Sequence, residues 1–203
     1  MRKTGFLIAI GFLVSFQVFA EDKCSCKEFQ KSNSDLQEII VVAATGQELP
    51  ALPRNVKIAH DRQPGRGPME GLAAGLSMTG GRVDGVFVTS CDIPLLKPAF
   101  ARRLFEVAAT SGRSIEIVVP REGNRFHPLS AIYRPSVLPA VEELLAADQL
   151  RMRLLFEKCR TREVPAEDFR DVDPELDSLT NCNRPEDYAA ALAQCGFREG
   201  SST

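Results

Sequence analysis

The sequence predicts an α/β fold, a mostly parallel sheet with helices on both faces. Short continuous apolar runs rich in β-branched residues, such as Glu38 to Ala44 (EIIVVAA) and Val86 to Ser90 (VFVTS), suit strands buried on both faces. They alternate with segments whose apolar residues recur at helical spacing, the order that βαβ units require. The run through Val86 to Cys91 then ends in a lone carboxylate, Asp92, ahead of Ile93-Pro94. In open α/β sheets ligands collect beyond the carboxyl ends of the strands, so Asp92 stands where a metal or phosphate-site ligand would.

Taken in order, the chain begins with Arg2 and Lys3, an apolar run from Phe6 to Val14, and a close on Val18-Phe19-Ala20. Residues 1–20 thus have the parts of a secretory signal. Ser15 and Gln17 interrupt the run, so no stable membrane span is expected. Phe6 to Val14 also has the length and Ile/Val/Phe content of a strand. Residues 21–34 read as a polar linker, 35–196 as the globular domain and 197–203 as a tail. Within the domain, Glu38 to Ala44 is a strand, Gly46 to Pro53 a loop and Val56 to Ala59 a shorter strand. Pro68 to Met78 is a helix with Pro at its start and Gly80-Gly81 at its stop. Val86 to Ser90 is a strand, Pro98 to Ala109 a helix and Ile115 to Val119 a strand. Phe126 to Tyr133 is strand-like, with an edge or a break expected at Pro128. Ser136 to Ala147 and Leu150 to Cys159 are helices, Val164-Pro165 closes a short strand, and Asp171 to Asp177 is an acidic loop. Pro185 to Gln194 is a helix with Pro first and acidic residues in its first turn.

Composition narrows the function. A chain of 203 residues that is 44% hydrophobic builds one sizeable core. A net charge of -2 offers no basic field for nucleic acid. Six cysteines without C-x-x-C spacing, and only two histidines, His60 and His127, speak against structural zinc. Cys91 reads as a small buried apolar residue. Two further features suggest a ligand site. His60-Asp61 closes the second strand, and Gly65 to Gly75 (GRGPMEGLAAG) runs from loop into helix. Glycines there let a ligand approach the backbone, and the helix N-terminus offers free N–H groups. Asp61 and Asp92, each at a strand end, suit a hydrated Mg²⁺ or a ribose, or else are turn residues.

Several pieces together resemble the molybdenum cofactor guanylyltransferases of the nucleotidyltransferase superfamily, over roughly Asp35 to Gln194. These are Asp61 with GPMEGLAAGL (Gly67 to Leu76), CDIPLL (Cys91 to Leu96), HPL (His127 to Leu129) and NCNRPED (Asn181 to Asp187). The resemblance implies a Rossmann-like domain that transfers GMP from GTP to molybdopterin with Mg²⁺ and releases pyrophosphate. It implies that Asp92 binds the metal, that Asp61 contacts the guanosine, and that Gly67, Pro68 and Gly71 lie against the nucleotide. His127, Asn181 and Asn183 would fall on the pterin side; alternatively His127 bonds nearby backbone and Asn181 caps the last helix.

The family's opening strand and its Gly-rich triphosphate loop, of the form L-A-G-G-x-S-x-R-M-G followed by Lys, have no counterpart in residues 1–34. The first strand is therefore expected to be missing or replaced, with Phe6 to Val14 a candidate substitute. Two histories fit: a front translated from another frame, or an export signal fused to a degenerate domain that binds without catalysis. Family resemblance places the protein in the cytoplasm, whereas an authentic signal would place it outside. A related transferase using CTP is the remaining alternative.

Overall fold

Phe6–Ile10 forms β1, and it sits inside the sheet rather than apart from it. The computed structural model describes residues 6–10, 38–49, 51–54 and 56–195. After β1 come β2 (Glu38–Ala43), β3 (Val56–His60), α1 (Pro68–Thr79), β4 (Val86–Ser90) and α2 (Pro98–Thr110). They are followed by β5 (Ile117–Glu122), β6 (Arg125–Phe126), β7 (Ser130–Tyr133), α3 (Leu138–Ala146), α4 (Arg153–Lys158), β8 (Thr161–Pro165) and α5 (Pro185–Gln194). Short 3-10 turns occupy Pro135–Val137, Ala166–Phe169 and Asp177–Leu179.

The strand order is β3-β2-β1-β4-β7-β5-β6, with β8 on β5. The pairs β3·β2, β2·β1, β1·β4 and β5·β8 are parallel, and β4·β7, β7·β5 and β5·β6 are antiparallel. Ile8 lies in register between Ile40 and Val88, so the vacant first-strand position is replaced rather than missing. Residues 11–14 of the expected strand, and the linker at 21–34, lie outside the described residues. The segment Phe126 to Tyr133 breaks where expected: β6 and β7 are separate, with the turn at Pro128-Leu129 between them, because proline supplies no ladder N–H. One expectation needs correction. Cys91, expected to be buried, is partly exposed because it lies in the turn after β4.

Alternation along the strands divides the core in two. Ile40, Val86, Val88, Ile117 and Val119 face α1, α3 and α4, meeting Met69, Leu72, Leu76, Val141 and Leu144. Their strand neighbours Ile39, Phe87, Val118 and Ile132 face α2 and the 166–179 segment, meeting Phe100, Leu104 and Phe169. Phe100 and Phe169 pack with ring centroids 4.7 Å apart. A fully buried side chain of this size contributes about 2 kcal/mol. α1 is buried on nearly every side, Gly71, Ala74 and Gly75 included, because small residues let α3 approach it closely.

Candidate functional site

Because β4, β5 and β8 run parallel to β1–β3, and β7 runs back against β4, one sheet edge collects the strand ends that matter. Asp61 follows β3, Asp92 follows β4, Glu122 ends β5, and His127 precedes β7. Asp61 and Asp92 are three strand spacings apart in that order, on the order of 14 Å across the sheet. The structure therefore sets them at separate places along the edge, not around one ion.

Asp92 accepts from the Ser90 hydroxyl at Oδ1 and from Asn181 Nδ2 at Oδ2, the latter at 2.8 Å. The backbone follows, with Cys182 N donating to the Asp92 carbonyl at 2.7 Å. CDIPLL and NCNRPED, 89 residues apart, thus meet at one carboxylate. Asn181 does not cap the last helix. The residue at that position is Arg184, and Asp187 reaches back to accept from the amides of Asn183 and Arg184 at 3.1 and 3.0 Å. Among the described residues, no Lys, Arg or His forms an ion pair with Asp92. Among those residues its negative charge is oriented by neutral donors alone. Among the same residues no group of three His, Cys, Asp or Glu side chains could hold a metal. Mg²⁺ does not require one, since it commonly keeps waters and takes one or two carboxylates beside substrate phosphates. Asp92 fits that limited role.

At the other end of the edge, the Asp61 amide donates to the Ala43 carbonyl and the Thr45 hydroxyl to the Asp61 carbonyl, both at 3.1 Å. Burial and then the charge of Glu70 push the Asp61 carboxyl above its ordinary range, with His60 opposing. Glu70, which the sequence did not single out, is almost fully buried. It accepts from both the backbone N–H and the Nε of Arg62 at 3.2 Å. Arg66 donates to the Leu145 carbonyl and pairs with Asp148 at 3.2 Å. The two arginines pin the glycine loop to α1 and α3. Gly67 then begins α1 at φ 70, a left-handed value suited to glycine. Pro68 occupies the first turn and Gly71 is buried in the next.

His127 is buried, with its backbone bonded to Pro120 and Ser130. Among the described residues its Nε2 has no hydrogen-bond partner, and it lies 3.8 Å from Glu122. Burial, then Arg125, lowers its pKa below the ordinary 6.5, and Glu122 opposes this. Beside it is a cavity of about 260 Å³ whose wall includes Glu122, Arg125, Arg170, Leu179, Asn181 and Asn183. Asn181 thus touches Asp92 and also lines the cavity.

Fold and edge together define a Rossmann-like α/β domain of the nucleotidyltransferase kind. The sequence profile of the MobA-like NTP transferase domain matches residues 27–163, and the chain belongs to that family. It is 30% identical over 156 residues to the molybdenum cofactor guanylyltransferase of Desulfosudis oleivorans, covering 77% of this chain and 74% of the relative. It is 34% identical over 132 residues to the probable molybdenum cofactor guanylyltransferase of Methanothermobacter thermautotrophicus, covering 65% and 64%. Molybdopterin-guanine dinucleotide biosynthesis protein A from Archaeoglobus fulgidus shares the fold at a TM-score of 0.69 and 20% identity, over 94% of this chain and 98% of that one. No helix among the described residues is long and apolar enough to cross a membrane.

Proposed function

We propose that this chain is a molybdenum cofactor guanylyltransferase, moving GMP from GTP to the phosphate of molybdopterin and releasing pyrophosphate. The observation that carries the reading is Asp92, a carboxylate held by Ser90 and Asn181 at a strand end, without a described cationic partner. When bound there, Mg²⁺ would neutralise charge on the phosphoryl oxygens. Asp61 and the turn at Gly67, Pro68 and Gly71 are assigned to the guanosine end, where the Asp61 carboxyl and the backbone of the turn into α1 would meet a ribose or base. The cavity beside Asp92 is assigned to the acceptor, with Asn181 and Asn183 as polar groups of its wall and His127 assigned to the same side, next to the wall residue Glu122. Placing both substrates along one rigid edge supplies catalysis by position, with no protein nucleophile. The reading places the protein in the cytoplasm, where GTP is available.

A second reading, ligand binding without turnover, is favoured by one observation. Residues 11–34, which follow β1, contain a single glycine and no arginine, so they provide no Gly-rich triphosphate cradle. Calorimetric titration of the full chain with GTP, CTP and ATP in the presence of Mg²⁺, followed by assay of pyrophosphate release with molybdopterin, tests both. GTP-selective, Mg²⁺-dependent binding with release supports the transferase; binding without release supports the second reading. A preference for CTP, or no binding by a folded sample, overturns the assignment to GTP.

A further inference from the structure

Asn181 reaches Asp92 from a strap between Val172 and Asn183, and that strap is itself tied down by a charge cluster outside the site described above. Lys97 lies just ahead of α2. Its ammonium is 2.7 Å from Asp173 Oδ1 and 2.8 Å from Asp177 Oδ2. Its backbone N–H donates to Ser178 Oγ at 2.9 Å. Asp173 is completely buried and also accepts from the amides of Asp177 and Ser178 at 3.2 and 2.9 Å. Leu176 adopts a left-handed conformation, φ 57, where the turn brings both carboxylates to one ammonium. The Ser178 carbonyl accepts from Ser130 at the start of β7 at 3.0 Å, and Gln194 of α5 donates to Asp177 at 3.0 Å. A buried carboxylate is tolerated only where it is paired, so the turn is held wherever Lys97 is.

We infer that Lys97 is a positioning residue. By seating the 173–178 turn it keeps Asn181 on the Asp92 carboxylate, and so fixes the direction in which Asp92 meets a metal-bound nucleotide. Only two residues separate Ser178 from Asn181, too few for the strap to loosen at one point and stay registered at the other. The structural half of the inference stands on the contacts alone; its consequence for ligand rests on the guanylyltransferase reading.

The test uses the full chain with two independent readouts. The first is the ¹⁵N signal of the Asn181 side-chain amide, assigned by its loss in Asn181→Ala. Lys97→Met should move it to the position of a solvent-exposed amide, and Lys97→Arg should return it. The second is the Mg²⁺ concentration at half-maximal GTP binding, which Lys97→Met should raise about tenfold, the low end for groups that orient a metal ligand. The double variant Lys97→Met/Asn181→Ala should then be no worse than Asn181→Ala alone. An unmoved amide signal overturns the inference, as does additive loss in the double variant. A moved signal in a protein that binds no GTP overturns only the nucleotide reading. Should Lys97→Met fail to fold, Asp177→Asn carries the same prediction for the amide, and an unmoved signal there is equally fatal.

Discussion

Both oxygens of Asp92 are occupied by neutral donors, and neither donor neutralises its charge. Asp92→Asn keeps the shape and removes the charge: its oxygen can still accept from Asn181 while its Nδ2 donates to the Ser90 hydroxyl. It should therefore melt close to the parent while losing Mg²⁺-dependent GTP binding at least about tenfold, since the ligand's charge sets metal affinity. Asp92→Ala should lose binding as well and also destabilise by about 1 kcal/mol, because Ser90 and Asn181 are left without their acceptor. Calorimetry beside thermal melts separates the two effects, and unchanged binding in either variant removes Asp92 from the metal site. His127 makes a prediction in pH. Burial and Arg125 lower its pKa in the folded state, so the unfolded chain binds the proton more tightly. Its contribution to stability is full above the ordinary 6.5 and is lost as the pH falls through the lowered value. Between about pH 7.5 and about pH 5, His127→Gln should lose less of its urea midpoint than the parent does. Equal slopes would mean that the imidazole is as easily protonated in the fold as out of it.

Among elements, the glycine loop into α1 shows what conformational strain demands. Gly67 holds φ 70 at the start of the helix, where an L side chain costs roughly 1 kcal/mol. Gly67→Ala should lower the melting temperature by about 3 °C in a chain of this length. It should also weaken GTP binding, because the strained residue lies in the turn assigned to the nucleotide; a melt identical to the parent would remove the strain argument. This element was readable in advance: Pro at the helix start and paired glycines at its end are local signals, and α1 begins at Pro68 as they require. β4 and α5 were equally legible, one from its unbroken apolar run and the other from Pro185 with Glu186-Asp187. What could not be read was any pairing that local pattern does not encode. Asn181 finds Asp92 across 89 positions, and the Lys97 amide finds Ser178 across 81. The acidic tract DVDPELD carried a hint, since closely spaced carboxylates in a mostly apolar surrounding need a cation, but nothing in the chain pointed to Lys97 over any other. Glu70 had a similar hint, a carboxylate in the first turn of a helix otherwise made of small and apolar residues.

For the whole molecule, the decisive element is β1, which pairs in parallel with β2 on one side and β4 on the other. Without it those two strands would each face a vacant ladder, and the two halves of the sheet, β3-β2 and β4-β7-β5-β6, would lose the strand that links them among the described residues. Ile8→Pro removes a ladder N–H and imposes a fixed φ in the middle of a strand paired on both sides, which costs about 3 kcal/mol or more. Against a typical total stability of roughly 5–15 kcal/mol, that loss should leave a chain that melts far below the parent or not cooperatively at all. The same reasoning predicts that a chain beginning at Glu21 gives no cooperative transition by circular dichroism. The consequence reaches the biology of residues 1–20, because segment Phe6–Ile10 cannot be both removed as an export signal and retained as the strand that joins the sheet. A chain from Glu21 that melts with the parent would show that the sheet closes without β1, and would leave the signal reading free of any cost to the fold. An unfolded one would mean that processing at Ala20 and the folded edge bearing Asp92 are alternative fates of the same polypeptide.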